Sequence, residues 1–334
     1  MANGVKTFRK LQIARNADSD SDDVIAATTI LRANGTIDDS RNLYFVSEDV
    51  GLATGSDRTN TSLLGAEIAI DAIEATYEQL PYFLEMSIAS VTPTFDSGDA
   101  YVYTWTIPTT SFSALRPYTV EGGDNNQAEV ANFVHCKDWT LAGAGGSAWM
   151  MSGNLFGKKV VDQAFTGSVA LPTVNTMNFS KSKLYIDNDS DTWASTQITN
   201  TLLGATIKCN PNTIGKPTAE GELTWTFAQQ TMMNITVDLL FEYNTTAHAQ
   251  KNVWRAETPK LIRILNQGLA FTNPGNTYSV RTFIADFAGK YSDFEKIGEQ
   301  NGNDVIQAHF SARYNAAQAS AGQFIIVNAK SSMP

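Results

Sequence analysis

The chain repeatedly alternates apolar and polar residues with a period of two, and this pattern restricts its fold more than any other feature. It is clear in Ala100-Tyr101-Val102-Tyr103-Thr104-Trp105-Thr106-Ile107, in Leu223-Thr224-Trp225-Thr226-Phe227 and in Ile235-Thr236-Val237-Asp238-Leu239-Leu240-Phe241. Such alternation turns one face of a strand toward a core and the other away from it, and it does not match the 3.6-residue period of a helix. The runs are separated by turn chemistry: Asn34-Gly35, Asp96-Ser97-Gly98-Asp99, Glu121 to Asn126, Gly143 to Gly146, Asn210-Pro211-Asn212 and Asn273-Pro274-Gly275-Asn276. These residues tolerate tight or left-handed backbone, so the sequence predicts a mainly β fold.

Two stretches depart from that pattern. Ile73, Tyr77, Leu80, Leu84 and Ile88 recur at helical spacing, which predicts a helix over Ile70 to Ile88 that Pro81 starts or kinks. A second helix is predicted over Lys251 to Leu265, with Trp254, Leu261 and Leu265 toward a core and Pro259 near an N-terminus. Its tail, Lys260 to Leu265, also alternates well enough to be a strand. The expected arrangement is one helix per half, packed beside a sheet.

A chain of 334 residues is long for one core and comfortable for two. Leu63-Leu64-Gly65-Ala66 is echoed by Leu202-Leu203-Gly204-Ala205, and Tyr103-Thr104-Trp105-Thr106 by Leu223-Thr224-Trp225-Thr226, which suggests a duplicated fold. The strand pattern lapses from Thr166 to Asn178, around Gly167 and Pro172, so the expected domains are residues 1–165 and 166–334. Arg15 to Asp23, Ser47 to Ser62 and Ala316 to Gln323 read as mobile segments.

Charged residues make up 17% of the chain, against roughly 25% in ordinary globular domains, which suits a surface buried against copies of itself. The net charge is −10, and all of the excess precedes Phe165: 11 Lys and Arg stand against 21 Asp and Glu there, and 13 against 13 after it. Phosphate gripping needs the opposite balance, so stable nucleic-acid binding is not expected. An acidic surface does suit a conduit past which DNA slides, although a plain solvated acidic face is the commoner reading. Asp18, Asp20, Asp22 and Asp23 are the candidate lumen-facing or assembly-ordered acidic segment. The segment lacks the Gly and Glu of an EF-hand, and no metal or cofactor is expected.

The residues offer little for catalysis. The three histidines, His135, His248 and His309, have no evident partner, and His135 and Cys136 point to opposite faces of a strand. No nucleophile elbow, P-loop, zinc-protease or dinucleotide motif occurs. Carboxylate pairs such as Glu121 with Asp124, or Glu220 with Glu222, read as solvated turn residues. Cys136 and Cys209 have no metal-ligand spacing and read as buried free thiols. Met1 to Asp20 has no apolar core of the kind a signal peptide needs, and no run reaches the 18 or so apolar residues of a membrane span. A soluble protein made in a reducing cytoplasm is expected. Trp105, Trp139 and Trp225 read as packed within strands, and Trp149 and Trp193 as the candidates for exposure on a sugar-binding face.

An ordered set of short patterns adds to this reading. Ala75-Thr76-Tyr77-Glu78-Gln79-Leu80-Pro81-Tyr82-Phe83-Leu84, Tyr103 to Thr106, Arg116-Pro117-Tyr118-Thr119-Val120-Glu121-Gly122-Gly123-Asp124 and Met151-Ser152-Gly153-Asn154-Leu155-Phe156-Gly157 lie in the first half. Leu184-Tyr185-Ile186-Asp187, Thr201 to Gly204, Gly221 to Trp225, Tyr314-Asn315 and Phe324 to Asn328 follow in the second. From about Asp22 to Asn328 the chain resembles the tail tube (major tail) proteins of long-tailed bacteriophages. The resemblance implies two β-barrel or β-sandwich domains of tail-tube type, each flanked by a helix. It implies rings, of three subunits or of six, stacked into a hollow virion tube for genome ejection, with a long loop such as Ser47 to Ser62 ordered by stacking. The implied partners are copies of itself, a tape-measure protein, tail terminator and distal tail proteins, and DNA in transit, with no membrane and no catalytic residues. The alternatives are a capsid decoration or baseplate component and, after them, a carbohydrate-binding module.

Overall fold

A computed structural model describes residues 4–333; Pro334 and the first three residues of the Met1 to Asp20 segment lie outside them. The fold is mainly β. The first half comprises β1 (Lys10–Arg15), β2 (Thr29–Leu31), β3 (Gly35–Phe45), β4 (Thr59–Glu74), α1 (Leu80–Ser87), β5 (Thr94–Ser97), β6 (Ala100–Thr106), β7 (Tyr118–Gly123), β8 (Ala128–Ala144), β9 (Met150–Gly157) and β10 (Lys159–Asp162). The second comprises β11 (Ser182–Asn188), β12 (Gln197–Ile198), β13 (Leu202–Asn210), β14 (Thr213–Lys216), β15 (Phe227–Gln230), β16 (Asn234–Glu242), α2 (Thr245–Arg255), β17 (Lys260–Ala270), β18 (Val280–Phe294), β19 (Gly298–Gln300), β20 (Asn303–Ala312) and β21 (Gly322–Asn328).

The two halves use one pairing scheme. In the first, β2 pairs β1, β1 pairs β7, β7 pairs β8, β8 pairs β9, β9 pairs β4 and β4 pairs β3, while β10 returns to the start of β8. In the second, β12, β11, β17, β18, β20, β16 and β13 follow in the same order, and β21 returns to the start of β18. Helices α1 and α2 hold the same place, each following the strand that pairs with β9 or β20. Even the bulges correspond: Lys137 is the extra residue of β8 between Cys136 and Asp138, as Ser292 is of β18 between Tyr291 and Asp293. A bulge shifts the register by one residue and turns every later side chain over, so a shared bulge position is a specific likeness.

The sequence echoes that suggested a duplication are not the residues that correspond. Leu63 to Ala66 lies in β4, whereas Leu202 to Ala205 lies in β13, the counterpart of β3. Trp105 lies in β6, which has no counterpart in the second half, and Trp225 lies outside any strand, just before β15. The alternation of Leu223 to Phe227 therefore belongs to a segment held by tertiary contacts.

Both predicted helices are displaced. Ile70 to Glu74 continues β4, because Ile70 and Ile73 keep their partners Gly153 and Met151 on β9. Helix α1 starts at Leu80 with Pro81 in its first turn, where the missing N–H costs nothing, and every residue from Leu80 to Ser87 is buried. Helix α2 starts earlier than predicted, where Asn244 Oδ1 accepts the Ala247 N–H at 3.0 Å, and it ends at Arg255. Glu257 then adopts φ 52°, and Lys260 to Leu265 takes its strand alternative as part of β17. Among the segments read as mobile, Ser56 to Ser62 closes onto β3 as a hairpin, and Gln318 donates to the Asp189 and Asp191 carbonyls.

One apolar core runs through both halves. Trp105, Trp139 and Trp149 are fully buried in it, and each indole N–H has an acceptor: the Ala89 carbonyl at 3.0 Å, Ser87 Oγ at 3.1 Å and Ser182 Oγ at 3.0 Å. Trp149 is thus not exposed as predicted, because its backbone N–H bonds the Met177 carbonyl and its ring packs edge-on against Phe179. Trp193 is half-buried. Helix α1 is fastened to the first sheet by a buried charge. Glu85 receives two bonds from Arg15, at 2.8 and 2.7 Å, and one from the Tyr118 hydroxyl at 2.7 Å.

Candidate assembly interface

The outermost strand of each half's four-strand sheet is treated differently. Strand β13 lies between β16 and the second half of β8, with Ile207 opposite Leu141 and Cys209 opposite Trp139. This seam joins the two halves, making one ribbon of eight strands in the order β3, β4, β9, β8, β13, β16, β20, β18. Strand β3 has β4 on one side and, among the described residues, no strand on the other. Beyond Gly289, β18 pairs, among the described residues, with β20 alone. The ribbon therefore ends in two strands with unpaired backbone N–H and C=O groups, which is the chemistry of strand addition.

The outward face of the ribbon is polar. Pairing places Asp38, Glu67, Asp138, Asp238, Asp293 and Glu295 on that face, together with Asn154, Thr140, Lys208 and His309. Its carboxylates outnumber its cations. At one end the face is covered by the chain between β13 and β16. Trp225 lies over Phe133, His135 and Phe156 at ring separations of 5.1, 6.1 and 5.6 Å, and donates to the Gly157 carbonyl at 3.1 Å. The cover buries His135 with neither ring nitrogen bonded, and burial pushes its pKa down to about 3.

The counterpart of that covering segment in the first half is the β3–β4 hairpin. It is paired as far as Phe45 with Thr59, well past the Ser40 to Gly65 pair at which its counterpart β13 ends. Its tip is apolar and uncovered: Leu43, Tyr44, Phe45, Val50 and Leu52 are all exposed, Phe45 to 67% and Leu52 to 63%. Single exposed apolar residues are ordinary, but five on one projecting hairpin form the kind of patch that marks a contact surface.

The acidic segment singled out from sequence lies elsewhere. Asp18 Oδ1 accepts the N–H groups of Asp20 and Ser21, and Asp22 pairs with Lys158. The Asp22 carbonyl accepts from Asn132, and the Asp23 carbonyl from Asn16 and Thr119. These bonds hold the loop against β7 and the first half of β8. The carboxylates on the ribbon face were not singled out from sequence; strict alternation of Glu67 and Asp238 with buried neighbours was the available signal. Glu121, read as a turn residue, is fully buried in β7, where it accepts the Thr166 N–H at 2.8 Å and its hydroxyl at 2.5 Å.

His309 links two ribbon carboxylates. Its Nδ1 lies 2.6 Å from an Asp238 oxygen and its Nε2 3.1 Å from a Glu295 oxygen, so the protonated ring donates to both carboxylates. Burial lowers its pKa, but the two carboxylate bonds outweigh burial and the net shift is upward from 6.5. Asp238 is likewise pulled up by burial, and bonds from Lys208 and His309 carry it below 3.8. The histidine's contribution to stability is complete below about pH 6.5 and fades as pH rises through its folded value; the aspartate's is complete above about pH 4 and fades on acidification. The melting temperature lost in His309→Gln should therefore be larger at about pH 5.5 than at about pH 9. An equal loss at both would exclude a charged histidine.

Other titratable groups are accounted for by structure. His248 Nδ1 meets the Tyr243 hydroxyl at 3.2 Å, and both cysteines are buried with thiols pushed well up by burial. Among the described residues no group of three or more His, Cys, Asp and Glu is placed to hold a metal ion, and no helix is long and apolar enough to cross a membrane. No protein-family model matches the chain, and no curated protein matches it.

Proposed function

We propose that this protein is a structural subunit, not an enzyme, that polymerises into the hollow tail tube of a long-tailed bacteriophage. The observation that carries this reading is the eight-strand ribbon: two halves of one pairing scheme are already joined edge to edge, and both ends of the ribbon are open. A unit that adds to itself in this way extends a sheet, and head-to-tail contacts close into rings or grow into filaments. Each half then acts as one tail-tube barrel, and a ring of six halves needs three chains. The polar, carboxylate-rich ribbon face lines the conduit, where like charge keeps passing DNA from adhering. The apolar β3–β4 tip reaches the next ring. On this reading the other partners are those of a tail: a tape-measure protein, terminator and distal proteins, in a virion assembled in the host cytoplasm.

Negative-stain electron microscopy of the concentrated protein tests it. Hollow filaments of uniform width are expected; a protein that stays monomeric across a wide concentration range would overturn the proposal.

A further inference from the structure

The seam inside the chain specifies the seam between chains. Strands β3 and β13 are counterparts: Ile37 lies opposite Ile68 on β4 as Ile207 lies opposite Val237 on β16. Strands β8 and β18 are counterparts through their shared bulge, which aligns Cys136, Asp138 and Trp139 with Tyr291, Asp293 and Phe294. In the chain, β13 adds to the outer edge of β8. The equivalent strand β3 and the equivalent edge of β18 are both open, and they stand at opposite ends of the ribbon.

We propose that β3 of one copy adds antiparallel to the Ser292 to Lys296 edge of a second copy, in the register of the internal seam. Ile207 opposite Leu141 becomes Ile37 opposite Lys296, and Cys209 opposite Trp139 becomes Asp39 opposite Phe294; continued one residue past the last internal pair, the same register sets Ser40 opposite Asp293. The inference rests on the self-assembly reading and adds which edges meet and how. Inward and outward faces match across this register, as they must, because a slip of one residue would put Ile37 on the polar face. Asp39 lies diagonal to Lys296, within reach for a long side chain. Asp38 falls opposite Glu295, a like-charge pair moderated by the bond between Glu295 and His309. The contact is heterologous, so it propagates rather than ending at a dimer.

The test is cysteine cross-linking of the full chain, since the native cysteines are both buried. The double variant Ser40→Cys with Asp293→Cys replaces two exposed residues. On mild oxidation of assembled protein it should give a ladder of covalent multimers on a non-reducing gel, with neither single variant passing a dimer. Asp38→Cys with Glu295→Cys probes the same register and serves if the first pair fails to fold. Ser40→Cys with Asp162→Cys, on the open side of β10, should give no ladder. Assembled filaments with no ladder from the seam pairs, or a ladder from the β10 pair instead, would overturn the seam and leave the tube reading standing. Protein that is monomeric by light scattering at every concentration would overturn both.

Discussion

Glu85→Ala should cost about 3–5 kcal/mol of folding stability, the range measured when one partner of a buried ion pair is removed. Glu85 has no solvent exposure, and its carboxylate is where α1, β1 and β7 are fastened together. Losing it leaves the Arg15 guanidinium with only Ser90 Oγ to bond, at 3.0 Å, and the buried Tyr118 hydroxyl without its acceptor, and these unmet polar groups account for most of the loss. The bond to Glu85 is what raises the Arg15 pKa against its own burial, while burial first and then Glu85 raise that of Tyr118. Glu85→Gln keeps the shape but not the charge and should cost less than Glu85→Ala. Glu85→Leu combined with Arg15→Met should recover part of the loss, since an apolar pair of similar volume removes the stranded charge. Urea unfolding, read as a lower midpoint at unchanged slope, measures all three. A loss below about 1 kcal/mol in the alanine variant would mean that water or another acceptor replaces the carboxylate.

Much of this fold was legible because strand alternation reports burial directly. Ile235 to Phe241 reads as a strand, and it is one with every second residue buried. The failures share a cause, in that a local pattern cannot say what lies on the second face. Trp149 sits among turn residues yet is sealed by the chain that crosses at Met177 to Phe179. Glu121 and Glu85 are hydrophilic by type and fully buried, because arginine, threonine and tyrosine reach them from elements distant in sequence. Ile70 and Ile73 fit a helical spacing as well as a strand, and pairing with β9 decided for the strand. The duplication is legible in topology but was assigned to the wrong residues, since pairing order and bulge position persist where the residue types have diverged. The candidate interface was legible only in outline. A long Ser47 to Ser62 loop was visible, but a free edge is a property of what does not pair, which one strand's residues do not encode.

Replacing Leu43, Tyr44 and Phe45 together by Ser should abolish end-to-end growth while leaving each subunit folded. These side chains are exposed in the single chain, so the substitution leaves no cavity, and the unfolding midpoint should shift little. In an assembly the cost is large. Fully burying a side chain of this size is worth roughly 1.5–3 kcal/mol, and about 1.4 kcal/mol is tenfold in affinity. Three such side chains on one hairpin, fully buried, would lower the stacking affinity by about three orders of magnitude or more, and partly buried by about two. The lateral seam uses β3 residues up to Arg41, so rings should survive where filaments do not. Sedimentation velocity and electron microscopy separate the outcomes. Discrete short oligomers in place of filaments place the tip between rings, whereas unchanged filament length would remove the tip from the stacking contact. Loss of every oligomer with the fold intact would instead place the tip in the lateral contact. That result would match the way Trp225, on the counterpart segment, already covers the neighbouring half of its own chain.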